Sequence, residues 1–381
     1  NTIAANRGLV RKLIIESLKC WASEFGVDGF RFDLGIALSR GENLSPLENP
    51  PIFEDIECEP ELIDIKLISE PWDCGGLYKL GDFPSKNTFT WNGHFRDDLR
   101  RFWKGDKDTA WNMSDKIKGT PSIYKEDNIF PKSINFITSH DGFTLKDLVT
   151  FNRKHNFANR EQNRDGDNHN NSWNHGTEGP TTNLLINDLR KRQQKNLILS
   201  LLISKGVPMI LMGDEIGRSQ GGNNNSWCQN NLLGWMNWEH GQQDLELLEY
   251  FKYVIKIRKK LINIFNPSFF PNNQTNENIP TYHWHGTKLD SPDWSSWSHT
   301  VAFSINKDNT NPLVWIGLNA YSKSIDFPLP KCKYNWLKVI DTSMSEIFEP
   351  LTINEKSVSI KSRSSLLIIS EEVFGAKNNI F

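Results

Sequence analysis

The sequence predicts an α/β protein in which a parallel sheet carries an active site at its C-terminal edge and a small antiparallel β-sandwich follows. Two observations carry this expectation. Apolar stretches of strand length recur, and each runs into an acid: Gly29-Phe30-Arg31-Phe32-Asp33, Ile65-Lys66-Leu67-Ile68-Ser69-Glu70 and Ile134-Asn135-Phe136-Ile137-Thr138-Ser139-His140-Asp141. Such runs suit strands of a covered parallel sheet, whose functional groups gather at the C-terminal strand ends. Beyond Asn266 the texture changes to short alternating runs separated by Pro, Asn and Asp, the pattern of a small sandwich. Taken alone, Arg31 and Asp33 could be a structural ion pair, since buried charges cost free energy unless paired or used.

Composition narrows the function classes. At 381 residues the chain can form one large domain and a smaller one. The net charge of -2 attracts no polyanion, and no basic arm, zinc-finger spacing or RNA-binding aromatic signature is present, so nucleic acid is an unexpected partner. The five scattered cysteines point to a reducing compartment. The longest apolar run, Leu197 to Ile203, is too short for a membrane span. The sequence opens at Asn1 in what reads as mid-domain sequence, with no signal peptide in view.

Taken in order, Leu9 to Glu24 is expected to be a helix that packs Leu13, Ile14, Leu18 and Trp21 on the sheet, ended by Gly26 before the Asp33 strand. Gly41 to Pro60 reads as loop. Leu62 to Glu70 is the second strand and leads into a Gly-rich aromatic loop, Pro71 to Tyr78. A short strand near Phe95 and a helix follow. Ile134 to Asp141 is the next strand and Thr144 to Asn152 a helix. His155 to Gly179 is a long polar loop, and loops of that length bind something or are disordered. Thr182 to Ser204 reads as one helix without a capping box. Gly206 to Gly213 is a strand that ends in Asp214 and Glu215, which could be structural or line a cleft. Leu245 to Ile264 is helical. The sandwich strands are Tyr282–Trp284, Val301–Ile305, Leu313–Leu318, Trp336–Ile340, Ser357–Lys361 and Ser365–Ile369, with the domain boundary near residue 266.

The blocks Gly29-Phe30-Arg31-Phe32-Asp33, Ile68-Ser69-Glu70-Pro71-Trp72-Asp73 and Phe136-Ile137-Thr138-Ser139-His140-Asp141-Gly142 resemble signature blocks of the alpha-amylase superfamily, glycoside hydrolase family 13. The stretches Glu70 to Gly76, Phe95 to Phe102, Asn163-Arg164-Asp165-Gly166 and Asn171-Ser172-Trp173-Asn174 narrow the resemblance to isoamylase-type glycogen or starch debranching enzymes. It runs from the first helix to about Trp336. It implies a partial (β/α)8 TIM barrel (strands 4 to 8) over residues 1–265, followed by an antiparallel β-sandwich domain over residues 266–381. The first three barrel strands have no counterpart, so the sequence looks like the C-terminal part of a larger enzyme. The resemblance implies Asp33 as nucleophile, Glu70 as general acid/base and Asp141 as transition-state stabiliser. It also implies Arg31 as the group that holds Asp33 ionised and His140 as a ligand of a sugar hydroxyl. No metal or other cofactor is implied, the partner is a branched α-glucan, and a cytoplasm or plastid stroma is the expected location.

The chemistry is consistent with those residue types. Glycoside hydrolysis needs a proton for the leaving oxygen and a carboxylate against the developing oxocarbenium charge. Retention needs the two carboxyl groups roughly 5 Å apart, inversion roughly 6.5 Å or more; the resemblance implies retention. Crowding of Asp33, Glu70 and Asp141 would favour a protonated Glu70. Trp72, Tyr78, Trp91 and Trp173 are candidate sugar platforms, because an aromatic face packs on a pyranose, though each could equally be core. Asp165 to Asn170 alternates oxygen donors but lacks the EF-hand pattern, and reads as an ordering or branch-accommodating loop. Gly221 to Asn225 lacks the Lys-Ser/Thr of a phosphate loop. Hydrolysis of α-1,6 branch bonds leads. An α-1,4-glucan hydrolase or transferase of the same superfamily, or a non-catalytic glucan-binding isoamylase-like subunit, are the alternatives.

Overall fold

The computed structural model describes residues 2–124, 132–239, 241–265, 281–306 and 311–375. The chain divides into two compact units, Asn1–Gly93 with Thr120–Asn135, and His94–Gly119 with Phe136–Phe381. The expected boundary near residue 266 adjoins residues 266–280, which lie outside the described residues.

In the first unit, helix α1 (Gly8–Ser23) precedes strand β1 (Gly29–Phe32), and helix α2 (Pro51–Cys58) precedes strand β2 (Lys66–Ser69). Strands β3 (Thr88–Trp91) and β4 (Ser133–Phe136) continue the sheet, the division between units falling inside β4. All pairings are parallel: Arg31 is in register with Ile68, Ile68 with Phe89, and Trp91 with Ile134. Gly26, at φ +67°, takes a left-handed turn after α1 that glycine adopts at little cost. Gly29 is required for a different reason. A Cβ there would lie 2.7 Å from the Lys66 carbonyl oxygen, so only a bare backbone lets β1 start beside β2.

Two expectations are corrected here. The buried stripe of α1 is shifted from the one expected. Leu18 is buried and Ile14, Ile15 and Ala22 pack on the core with it, whereas Leu13 and Trp21 are exposed. The Pro- and Glu-rich stretch expected to be loop contains α2, where Pro51 sits at the first helical position, which tolerates its missing N–H. Ile52, Phe53 and Ile56 of α2 are buried against Leu18, Leu62 and Leu67.

In the second unit, α3 (Gly93–Lys104) buries Phe95, Leu99 and Phe102. Their i, i+4, i+7 spacing makes a helical stripe, so the strand expected near Phe95 ends earlier, at Trp91. Helices α4 (Ala110–Ile117) and α5 (Leu145–Leu148) follow, then α6 (Leu184–Ile203), strand β5 (Val207–Met209), α7 (Gln242–Lys260) and α8 (Ile262–Phe265). The N-terminus of α6 has a cap although no capping box is present: the Asn183 side chain accepts from the N–H groups of Leu185 and Ile186 at 3.0 and 3.4 Å. At its other end, Arg258 of α7 donates to the carbonyls of Leu202, Ser204 and Gly206, which satisfies acceptors that a helix terminus leaves open.

The strands after residue 280 are β6 (Thr281–His285), β7 (Thr300–Asn306), β8 (Pro312–Asn319), β9 (Ile325–Pro328), β10 (Trp336–Asp341), β11 (Leu351–Ile353), β12 (Ser357–Ile360) and β13 (Ser364–Ser370). Six of them form an antiparallel sheet in the order β11-β10-β13-β8-β7-β6, and β9 pairs antiparallel with β12. Strand alternation divides the buried side chains between two cores. Val314, Ile316, Leu318, Leu367 and Ile369 join the large core that contains α3, α6 and α7. Trp315, Leu366 and Ile368 face Phe327 and Ile360 of the two-stranded ribbon. The expected sandwich is therefore present, with β9 and β11 added to the six strands anticipated.

Phe327 is 1% exposed and meets Trp315 edge-on at 6.1 Å between ring centroids. Phe327→Ala should cost about 3–5 kcal/mol, read as a lower denaturant midpoint by a probe in the sandwich.

Candidate active site

The first unit brings Arg31, Asp33 and Glu70 together. Arg31 lies on β1, Asp33 just past it and Glu70 just past β2, and the parallel register places these positions side by side. One guanidinium nitrogen of Arg31 donates to Asp33 at 2.9 Å and the other to Glu70. Arg31, expected to support Asp33, is shared with Glu70. Glu70 is 4% exposed, whereas the Asp33 side chain is 69% exposed. The second Glu70 oxygen accepts from the Leu34 N–H at 2.7 Å. Leu34 turns the chain at φ +45°, an uncommon conformation for a residue with a side chain, and that turn aims its N–H at the carboxylate. Oxygens of Asp33 and Glu70 come within 4.8 Å of each other.

Trp91, at the end of β3, lies under the Arg31 guanidinium, 4.3 Å from the ring centroid, and is 7% exposed. It is a cation–π support rather than a sugar platform. Trp72 and Tyr78 lie parallel at 6.0 Å with an interplanar angle of 8°, and Tyr78 is exposed. Their loop is pinned by a pair that sequence reasoning missed. Arg40 grips Asp73 through two nitrogens, at 2.6 and 3.1 Å. Asp73 also accepts from the N–H groups of Gly75 and Leu77. Hydrogen bonding to Arg40, with help from those two N–H groups, holds the Asp73 carboxyl below the usual carboxylate range. With the partners 33 positions apart in sequence, no local pattern could have revealed this clamp.

The second unit holds His140 and Asp141, both exposed, with His140 Nε2 3.6 Å from Asp141. The segment that carries them is fastened by Asp214, which follows β5. Its carboxylate accepts from the Thr138 hydroxyl and, at 2.9 Å, from the Leu145 N–H. In return Asp147, at the start of α5, accepts from the Ser219 hydroxyl and the Gln220 N–H. Of the two readings left open for Asp214, its bonds are those of a structural brace. Burial pushes its carboxyl up to about 7.

Trp173 is half-buried, with the Arg363 guanidinium 4.6 Å from its ring centroid and the His175 ring 4.1 Å away. The polar loops are ordered by amides: Asn156 and Asn224 exchange hydrogen bonds, Asn223 donates to Asn159, and Asn225 donates to Asp165. The carbonyls of Arg164, Asp165 and Gly166 converge on the ammonium of Lys154, at 3.2, 2.7 and 3.1 Å. Lys154 thus ties the start of the Asp165 to Asn170 stretch through its backbone.

Comparison with known proteins is most specific in sequence. Isoamylase 1 of rice (Oryza sativa subsp. japonica, chloroplastic) is 39% identical over 374 residues, which covers 92% of this chain and 46% of the relative. Over this span the similarity is to an isoamylase. A family profile described as Isoamylase 1-3, C-terminal, matches residues 283–372, within the antiparallel domain. The Glycogen operon protein GlgX homolog of Mycobacterium tuberculosis is 35% identical, over 97% of this chain and 54% of the relative. The chain thus spans about half the length of the curated isoamylase-type relatives it matches. Among solved structures, the pullulanase from Bacillus acidopullulyticus has a TM-score of 0.66 at 20% identity, covering 96% of this chain and 41% of that one. Type I pullulanase from Bacillus subtilis, complexed with maltose, gives 0.66 at 21%, covering 96% and 47%. The fold is that of the isoamylase and pullulanase group: a parallel α/β part followed by an antiparallel β-domain.

Two outcomes test the braces. Arg40→Met leaves Asp73 buried without its cation and should cost about 3 kcal/mol, with proteolysis appearing between residues 73 and 78. Asp214 has a raised folded-state value, so the folded protein binds the extra proton between about pH 4 and 7. Its contribution to stability is complete below about pH 4 and is lost as the pH rises towards 7. Asp214→Asn should flatten that part of a stability–pH curve, by on the order of a few kcal/mol.

Proposed function

We propose that the chain supplies the catalytic acids of a retaining glycoside hydrolase that cleaves α-1,6 branch linkages in glycogen, starch-like glucan or their limit dextrins. The observation that carries this is the single Arg31 guanidinium shared by an exposed Asp33 and a buried Glu70, with carboxylate oxygens within 4.8 Å. An approach of that kind accommodates the retaining arrangement, in which the two carboxyl groups stand roughly 5 Å apart. Asp33 attacks the anomeric carbon as the bond to the leaving glucan breaks. The proton of Glu70 goes to the leaving oxygen. Water then cleaves the glycosyl–Asp33 ester, with Glu70 taking its proton. Glu70 keeps one oxygen for the Leu34 N–H, while Arg31 bridges it to Asp33.

Asp141 and His140 are assigned to sugar hydroxyls, and Trp72 with Tyr78 to a ring face. Residues 1–265 are assigned to the C-terminal part of a catalytic (β/α)8 barrel and 266–381 to the β-sandwich domain. The linkage is supported by relatives named isoamylase and glycogen operon protein, and by fold neighbours named pullulanase, some of them complexed with maltotetraose. A cytoplasm or plastid stroma fits relatives named chloroplastic, and no helix among the described residues is long and apolar enough to cross a membrane.

Glu70→Gln and Asp33→Asn should each lower debranching of a limit dextrin by about 100-fold or more, followed as new reducing ends and chain-length profiles. Released linear chains of unchanged length are the expected product. An unchanged rate in Glu70→Gln would remove that residue from the chemistry, and shortening of linear maltooligosaccharides would favour the α-1,4 alternative.

A further inference from the structure

The hydrogen bonds of Arg31 leave its orientation incomplete. One terminal nitrogen of the guanidinium donates to Asp33 at 2.9 Å and the other to Glu70. The remaining nitrogen, Nε, is buried and has no hydrogen-bond partner among the described residues. Bonds from the two terminal nitrogens fix the ends of the guanidinium, but its plane can still roll about the line between them. A buried N–H is ordinarily satisfied, and a bond to Nε would have stopped that roll. An aromatic face stands in its place. The Trp91 ring centroid lies 4.3 Å from the guanidinium carbon, and arginine characteristically stacks on such a face.

The residues around Trp91 make that ring a fixed floor. Thr90 and Asn92 flank it, and in an extended strand they point away from the face that Trp91 takes. Their N–H groups donate to the Lys132 and Ile134 carbonyls at 2.8 and 2.9 Å. The Thr90 hydroxyl is hydrogen-bonded to that of Tyr124 at 2.7 Å. The Asn92 amide donates to the Thr120 and Ser133 hydroxyls, both at 2.9 Å. The backbone on either side of the ring is therefore anchored. Trp91 also meets Trp72, with 6.5 Å between ring centroids.

We propose that Trp91 is a positioning residue for the acid pair: its ring sets the roll of the Arg31 guanidinium, so that the two terminal nitrogens reach Asp33 and Glu70 together. Trp91 is buried and acts on the chemical step through Arg31. The effect on catalysis rests on the proposed function; the support of Arg31 by the ring does not.

Two variants without a ring, Trp91→Leu and Trp91→Met, and one that keeps a ring, Trp91→Phe, are compared with the unaltered protein on a branched limit dextrin. Loss of the ring should lower kcat about tenfold, the size of a desolvated cation–π contact, and leave KM nearly unchanged. Trp91→Phe should recover most of kcat. A second readout needs no turnover. A proton over an aromatic face is shifted upfield by the ring current. The Arg31 Nε–H resonance, identified by its loss in Arg31→Lys, should lie upfield in the unaltered protein and in Trp91→Phe, and move downfield in the folded ring-less variants. Equal kcat in all four proteins overturns the proposal, and so does an equal loss in Trp91→Phe and the ring-less pair. A raised KM at unchanged kcat overturns it too, because Trp91 would then serve Trp72 rather than Arg31. With no debranching by the unaltered protein the hydrolase reading fails, and the resonance decides alone: a shift confined to the ring-less variants upholds the support of Arg31, and an unmoved signal overturns it.

Discussion

The geometry of the candidate site hangs on one guanidinium. Arg31 projects from β1, reaches the carboxylates beyond the ends of β1 and β2, and rests on the ring at the end of β3. Three neighbouring strand ends are thereby fixed by a single planar group, whose forked donors suit carboxylates better than the point charge of a lysine. The arrangement presupposes the parallel register, and the register presupposes Gly29, since a side chain there would push β1 from β2 where the two strands begin. Arg31 and the Leu34 N–H between them engage both oxygens of the buried Glu70. Folding and the acid pair therefore share the same support.

The second unit uses a different device. Two buried carboxylates, Asp147 and Asp214, cross-brace the segments that follow β4 and β5, each accepting from the other's neighbourhood. Neither has a cation as hydrogen-bond partner in these braces. Hydroxyl and backbone N–H donors do the work instead, and for Asp214 desolvation outweighs them, so that its carboxyl titrates near neutrality. The exposed His140–Asp141 pair is thus carried on a short segment tethered at Thr138 and Leu145.

The strand-end acids were legible in the sequence because an apolar run that stops at a carboxylate is a local pattern. The antiparallel domain was legible because its alternation is also local. The aromatic residues were not, since a tryptophan that supports an arginine and one that supports a sugar read alike. Trp91 proved to be a support, while Trp72 and Tyr78 form a parallel pair with Tyr78 exposed. Long-range pairs such as Arg40 with Asp73 leave no periodic trace. The shift of the α1 stripe has a related cause: Leu13 and Ile14 are equally apolar, and only the position of α2 decides which one faces inward. The α2 helix itself was hidden by prolines that read as loop until one is seen to start the helix.

The asparagine network between the two polar loops has a consequence of its own. Carboxamides neither ionise in the accessible pH range nor attract counterions, so a rim tied by the Asn156–Asn224 exchange keeps its bonds in acid, base and brine alike. Its weakness is chemical ageing. Hydrolysis of the Asn225 side-chain amide would replace a donor to Asp165 with a second carboxylate, turning a bond into a repulsion. The durability of this rim is then set by the lifetime of a few amide groups, a clock that runs faster with heat.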